Sequence, residues 1–249
     1  NDTRKEILNF LNKRGMYFAR WESNFDYHEK TNFWFIINDK SLEINDYDVK
    51  IRNEIRKGLK QCTVGKISKE YLIDNGYEVY ISAFKNYNTY LKPKSIQKYV
   101  DEIILTPDFW EYWGVFCQGK LIAYSKVMVV DNYAEYRSIK LHPEHLKRNP
   151  CQALIYTMNR DYLNKRKFKY VNNGARSISH KTNFPSFLIK KFKFRKAYCK
   201  LNIVYSNKIK YIVKALYPFK NIFRFFNFGP IRQVNILLKQ EEIVRSFKT

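Results

Sequence analysis

The run His142 Pro143 Glu144 His145 Leu146 Lys147 Arg148 Asn149 Pro150 Cys151 Gln152 Ala153 Leu154 joins imidazoles, a carboxylate and two cations to the start of a helix. A helix start offers unpaired N–H donors and positive dipole charge, so a basic loop that runs into one can seat a phosphate. Groups able to take a proton lie close by: His142, Glu144 and, on the preceding strand, Glu135. They matter because the 79 residues from Tyr162 to Gln240 hold 19 Lys or Arg and no Asp or Glu, so a carboxylate base must come from elsewhere. Arg52 and Arg56, four apart in a helical stretch, share one face as a phosphate clamp requires. The polar run Asn172 Asn173 Gly174 Ala175 Arg176 Ser177 Ile178 Ser179 His180 follows a predicted strand and is a second place for chemistry. Trp21, Trp34, Trp110, Tyr112 and Trp113 offer ring faces for a sugar or a base, although a chain with 17% aromatic residues uses most of its rings in the core.

The elements that must hold these groups follow from periodicity and punctuation. Helices are predicted over Arg4 to Arg14, Asp48 to Lys60 (closed by Gly58), Glu70 to Phe84, and from a Ser95 cap to Ile104. Short strands fall at Phe33 to Ile37 and Thr63 to Ile67. From Phe109 the rhythm becomes that of strands: Phe109 to Cys117, Leu121 to Val130 after a Gln118 Gly119 turn, and Tyr133 to Leu141. Strands and helices then alternate: helix Cys151 to Asn164, strand Phe168 to Asn172, helix Asn183 to Phe192, strand Arg195 to Tyr205. The order predicts an α/β (α+β) domain with a mixed, mostly antiparallel twisted sheet and helices on both faces. The last residues, 206–249, read as a basic amphipathic extension. Ile209, Ile212, Val213, Leu216, Ile222, Phe223 and Phe226 fall largely on one face, with a break at Pro218.

The formal net charge of +23 implies a polyanionic partner: tRNA, a nucleotide cofactor, an acidic carrier protein or an anionic membrane. An AT-rich genome also enriches Lys, Asn, Ile and Tyr, but it does not confine the excess to one acid-free stretch. Four scattered cysteines and four histidines show no metal-ligand spacing, so free thiols in a reducing cytoplasm and no metal are expected. No apolar run reaches the roughly 20 residues of a membrane span.

The segment from His142 to Leu154, in this element order, resembles the donor-binding segment of the GNAT acyltransferases. In that superfamily a strand ends in a His-Pro-acidic turn, and a basic glycine-rich loop and a helix start hold the pyrophosphate of coenzyme A. The resemblance implies a GNAT-like domain over residues 1–205, with a helix-rich half (1–105) and a donor-binding half (106–205). It implies donor contacts from Leu141, Lys147, Arg148, Asn149, Cys151, Gln152 and Ala153, with Asn172 and Asn173 across a cleft between splayed strands. It places acceptor contacts at Arg176, Ser177 and His180. The base falls to Glu135, Glu144 or His142. Leu146, Asn149 and Cys151 stand where the family has Gln or Arg, Gly, and Gly or Ala. Ile189 takes the place of a tyrosine acid and Lys193 that of a turn glycine, which leaves Tyr198 or Tyr156 as proton donor. The basic helix with Arg52 and Arg56 resembles the Fem-like branch, whose members draw on aminoacyl-tRNA to build peptidoglycan cross-bridges in the cell envelope. The expected donor is thus an acyl-CoA, another carrier-bound acyl group or an aminoacyl-tRNA. The expected location is the cytoplasm, at the inner face of the membrane where the extension would rest on anionic lipid. A noncatalytic polyanion-binding module that keeps this fold is the alternative.

Overall fold

The computed structural model describes residues 2–87, 92–179, 182–226 and 228–247. In chain order the elements are α1 (Asp2–Arg14), β1 (Phe18–Tyr27), β2 (Phe33–Asn38), α2 (Val49–Gln61), β3 (Thr63–Ile67), α3 (Lys69–Phe84) and α4 (Ile96–Ile104). There follow β4 (Trp110–Cys117), β5 (Lys120–Val130), β6 (Tyr133–Leu141), α5 (Pro150–Asn159), β7 (Tyr170–Ala175), α6 (Phe184–Phe192) and β8 (Arg195–Tyr205). The chain ends with α7 (Asn207–Leu216), α8 (Lys220–Phe223) and α9 (Gly229–Arg245). The strands form an eight-stranded sheet in the order β1-β8-β2-β7-β6-β5-β4-β3. By compactness the chain divides into two units, with boundaries inside β2 and near the start of β8.

The larger unit spans residues 36–174 and 184–195. Strands β3 to β6 form an antiparallel ladder, Val64 opposite Val115 and Gly114 opposite Tyr124. Ser68 and Ser95 cap α3 and α4 by accepting from the N–H groups of Tyr71 and Lys98, as Ser at an N-cap does. These helices cover one sheet face, where Leu72, Val79, Tyr80, Tyr99 and Ile103 close over Tyr112, Leu121 and Tyr124. Side chains alternate along a strand, so Trp113 points the other way, and its Nε1–H donates to the Tyr162 hydroxyl at 2.9 Å beneath the helix that begins with α5. That helix continues past Asn159 as a π-helical turn, Arg160–Lys165. Helix α2 lies against α5 through buried Ile51, Ile55 and Gly58.

The smaller unit comprises residues 1–35, 175–183 and 196–249. Strand β1 pairs antiparallel with β8, Phe18 opposite Tyr205, and the register slips between Ser23 and Tyr27, where Asn24 and Asp26 take positive φ. Along β8 the alternation buries Ala197, Cys199, Leu201 and Ile203; Phe33, Ile178 and Ile243 of α9 complete this core. The opposite face carries Lys196, Tyr198 and Lys200. No helix among the described residues is long and apolar enough to cross a membrane.

The structure corrects several element expectations. Gly58 lies inside α2, and the helix runs on to Gln61 because the glycine serves a close approach to α5 and does not act as a stop. Strand β7 begins and ends later than expected, at Tyr170 and Ala175. Strand β1 and helix α9 were not anticipated. Strand β8 lies between β1 and β2, so the sequential β7 and β8 are not neighbours.

Candidate active site

Strands β6 and β7 run parallel and pair over three positions, Tyr133 with Tyr170, Ala134 with Val171 and Glu135 with Asn172. Beyond that point the ladder stops: the Tyr136 carbonyl is met by the side-chain amide of Asn173, at 3.2 Å. Asn172 bends β7 by accepting, through its Oδ1, the N–H of Gly174 at 2.8 Å, and Gly174 takes φ +80. On the other side of β6 the pairing with β5 shifts: Val127 faces Tyr136 while Lys126 faces Ser138, which leaves Arg137 as the extra residue of a bulge. Bulges re-aim side chains and recur beside active sites. The parting of the strands and the bulge thus both come just after Glu135.

Glu135 is buried at 8% exposure, its Oε1 close to Gly174 and hydrogen-bonded to the Arg137 guanidinium. A buried carboxylate needs such a partner. Arg137, half exposed, escaped the sequence reading, although the pair Glu135 and Arg137 sits two apart on a strand and therefore on one face. Asn172 and Asn173 lie here as expected, as shapers of the backbone.

The other expected donor residues gather at the exit of β6. His142 is buried, donates its backbone N–H to the Ile122 carbonyl, and its Nδ1 has no protein hydrogen-bond partner. Its ring lies 5.2 Å from that of His145, whose pKa burial and the neighbouring His142 hold below the ordinary imidazole range. Leu141 is half-buried, Glu144 and Lys147 are exposed and Arg148 half-buried around a 3-10 turn, Pro143–Arg148. Asn149 ends that turn at φ 58, so it fills the conformation for which a glycine is otherwise suited; Lys193 does the same at φ 58 after α6. Pro150 opens α5 without an N–H, and Ala153 gives its own to the Asn149 carbonyl at 3.2 Å. Two N–H groups of the first turn, those of Cys151 and Gln152, have no backbone acceptor among the described residues. That is a smaller anion seat than a glycine-rich loop supplies, flanked by Lys147 and Arg148.

Around it the protein is closely built. A Cβ on Gly58 would stand 2.6 Å from the Asn149 carbonyl oxygen. The Gln152 amide donates to Glu54 at 3.1 Å, and Lys191 donates to the same oxygen at 2.7 Å. Burial pushes the Glu54 carboxyl up, but these hydrogen bonds outweigh it and hold it below the ordinary carboxylate range. Cys151 is enclosed, and burial raises its thiol to about 12, so it is a packing residue. Of the expected clamp, Arg52 is half-buried with its Nε lacking a protein partner, and Arg56 is exposed with a bond to Asn45 at 3.3 Å.

Glu135 and His142 are seven residues apart on an extended strand, which is about 23 Å at the usual rise. They cannot act on the same atom. The expected set therefore separates, with Glu135 at the parting of the strands and His142, Glu144, Lys147 and Arg148 at the strand exit. Tyr156 is buried beside Tyr47, with its hydroxyl raised by burial, and serves the core.

Arg176, Ser177 and Tyr198 belong to the smaller unit. There the guanidinium of Arg176 and the ammonium of Lys196 both lie over Trp34, at 4.6 and 4.1 Å from the ring centre, and Tyr198 meets the same ring edge-on. Lys200 lies over Tyr27 at 5.4 Å. His180 lies outside the described residues. No grouping of three or more His, Cys, Asp or Glu among the described residues could hold a metal ion.

No family model and no curated protein matches this sequence. Among solved structures the chain is similar to FemX, with 10% identity and a TM-score of 0.56, over 82% of this chain and 70% of that one. It is also similar to L-PGS from Bacillus licheniformis, with 11% identity and a TM-score of 0.51, over 97% of this chain and 71% of that one. A third match is the C-terminal domain (DUF2156) of a putative lysylphosphatidylglycerol synthetase from Agrobacterium fabrum, at 14% identity and a TM-score of 0.44, over 66% of this chain; the chain spans half of that one's length, 50%. At these identities the likeness is one of fold: the chain has a GNAT-like fold similar to those of FemX and L-PGS, with a mixed, mostly antiparallel sheet.

Proposed function

We propose that the chain is an acyltransferase that moves an acetyl, longer acyl or aminoacyl group from a phosphate-bearing donor to an amine or hydroxyl of a sugar, peptide or lipid-linked acceptor. The observation that supports this reading is the parting of β6 and β7 right after Glu135 and Asn172, beside the bulge at Arg137. Glu135 takes the proton as the acceptor nitrogen or oxygen attacks the donor carbonyl. Arg137 holds the carboxylate in place, and the thiolate or ribose oxygen of the donor leaves and takes up the proton that Glu135 removed from the acceptor. The donor phosphate rests at the start of α5, on the N–H groups of Cys151 and Gln152 with Lys147 and Arg148 beside them, and His142 Nδ1 offers a further bond. The separation of about 23 Å between these two places calls for an extended donor, such as an acyl-CoA, a carrier-bound thioester or the end of an aminoacyl-tRNA.

The test is transfer of a labelled group from each of these three donors, read by mass spectrometry of the acceptor pool. Glu135→Gln should keep the fold and lower kcat by about 10²- to 10⁴-fold, as loss of a general base does. Lys147→Glu with Arg148→Glu should raise the donor KM. If the wild-type protein neither binds nor transfers from any of the three, the reading fails.

The Arg176–Trp34–Lys196 group favours a second reading, a noncatalytic polyanion-binding module. Among the described residues neither cation has a carboxylate within ion-pair distance, and two cations on one ring call for an anion. In that case Lys196→Glu abolishes RNA binding, Glu135→Gln leaves function unchanged, and no donor is turned over.

A further inference from the structure

The surface of the smaller unit carries an unusual concentration of rings. Tyr211 (71% exposed), Phe219, Ile222, Phe225 (87%), Phe226 and Phe228 are all exposed large hydrophobics, within eighteen residues of chain. Of the apolar face expected for this extension, Val213 is the fully buried member and it ties α7 down. Ile212, Ile222 and Phe226 point outward instead. On α7 the outward residues Lys208, Tyr211, Ile212 and Ala215 follow helical spacing, and the 3-10 turn Tyr217–Phe219 carries the surface on into α8. Isolated exposed hydrophobics are ordinary, but so many within one short stretch, with Phe226 and Phe228 edge-on at 6.3 Å, point to an interaction site.

What covers it is indicated by charge. Lys208, Lys210 and Lys214 are exposed on the same helix and form no ion pair among the described residues; Glu241, which lines a pocket with Lys210 and Lys214, is engaged by Arg245 at 2.8 Å. Further along, Lys220 and Arg224 are satisfied by Glu242, at 2.8 and 2.5 Å, and so brace the turn. Asn235 does the same by donating to the carbonyls of Phe223 and Phe226, at 2.9 and 2.6 Å. A braced, non-spanning surface that presents aromatic rings flanked by lysines suits the boundary between headgroups and acyl chains of an anionic bilayer. A protein partner would have to answer the lysines with acidic residues and the rings with a groove. A bilayer answers both without specific shape.

We infer that residues 208–226 together with Phe228 form a docking surface for an anionic lipid bilayer, in which Tyr211, Phe219, Ile222, Phe225 and Phe228 enter the interface and Lys208, Lys210 and Lys214 face the headgroups. This goes beyond the transfer reading and does not depend on it.

The experiment is co-sedimentation of the full chain with phosphatidylcholine vesicles, with and without phosphatidylglycerol. Binding is expected to the phosphatidylglycerol vesicles, weakened by salt. The double variant Ile222→Asp, Phe225→Asp, at exposed positions that leave the core intact, should bind at least tenfold more weakly, about 1.4 kcal/mol. Lys208→Glu with Lys214→Glu should remove the preference for phosphatidylglycerol. Thermal melting confirms that each variant is folded. The inference is overturned if the wild type ignores both vesicle types, or if the aspartate variant binds as well as the wild type. It is equally overturned if light scattering shows that the rings hold two copies together while vesicles go unbound, or if RNA competes away all binding and the aspartate variant keeps its RNA affinity. Transfer to a water-soluble acceptor is read in parallel: its loss in the wild type counts against the transferase reading and leaves this one standing.

Discussion

Replacing Gly58 with alanine joins the packing of the larger unit to its candidate donor loop. The new methyl would stand 2.6 Å from the Asn149 carbonyl oxygen and 3.0 Å from the Ala153 Cβ, whereas ordinary contact begins near 3.4 Å. About 0.8 Å must therefore come from a backbone oxygen that already accepts the Ala153 N–H. Overpacking of this kind costs about 1–3 kcal/mol, and weakening the Asn149–Ala153 bond adds about 1 kcal/mol. Alanine is a better helix former than glycine and returns about 1 kcal/mol. The balance is a loss of about 1–3 kcal/mol, roughly 2–12 °C in Tm for a chain of this size. Because Asn149 starts α5, the donor KM should rise with it. Gly65→Ala is the control: nothing lies within 4 Å of its Cβ position in β3, and the same change there should stabilise by about 0.5–1 kcal/mol. Urea unfolding followed by circular dichroism reads both. A Gly58→Ala protein as stable as the wild type would refute the argument that this glycine exists for the approach of α2 to α5.

Two further outcomes follow from groups away from the loop. Glu111 accepts from Lys66, Tyr162 and Arg166; burial alone would raise its carboxyl, but these bonds hold it below the ordinary range. A lowered folded pKa stabilises above the unfolded value of about 4.3 and is lost as pH falls through the folded value. Glu111→Gln should therefore cost about 1–3 kcal/mol at neutral pH and flatten the acid limb of a stability profile below about pH 4.3. All four cysteines are buried, with Cys151 and Cys199 raised by burial to about 12, so Ellman's reagent should find no reactive thiol in the native protein and all four after unfolding.

Most helices and the ladder from β3 to β6 were legible because their apolar residues kept one period, and Ser95 marked the start of α4. Strand β1 was not, since its exposed, polar positions and the left-handed Asn24 and Asp26 break the alternation. Helix α9 was hidden by an apolar pattern that faces its neighbours on several sides, although Gly229 and Pro230 marked its start. Gly58 was misread as a helix end, because sequence shows the flexibility of a glycine but not the neighbour that demands it. At the site, Glu135 and the Asn172–Asn173 pair could be singled out by type and position. That β6 and β7 part at this level depends on a register between strands far apart in sequence, and that Arg137 is the bulge residue depends on a slip within the β5–β6 hairpin that alternation alone does not show. The glycine positions of the loop were legible as departures. Only backbone angles show that Asn149 and Lys193 adopt the left-handed conformation themselves.

The pairing of β1 with β8 sets an order on how this chain can assemble as it is made. Phe18 meets Tyr205, and at a synthesis rate of roughly 5–20 residues per second the first strand waits on the order of 10–40 s for its partner to leave the ribosome. Strands β4, β5 and β6 follow one another through short turns and can form meanwhile. During that interval β1, with Trp21 and Phe25, is an unpaired edge open to other chains. Any version truncated before β8 would keep that edge permanently, and aggregation in place of a stable fragment is what such a truncation should yield.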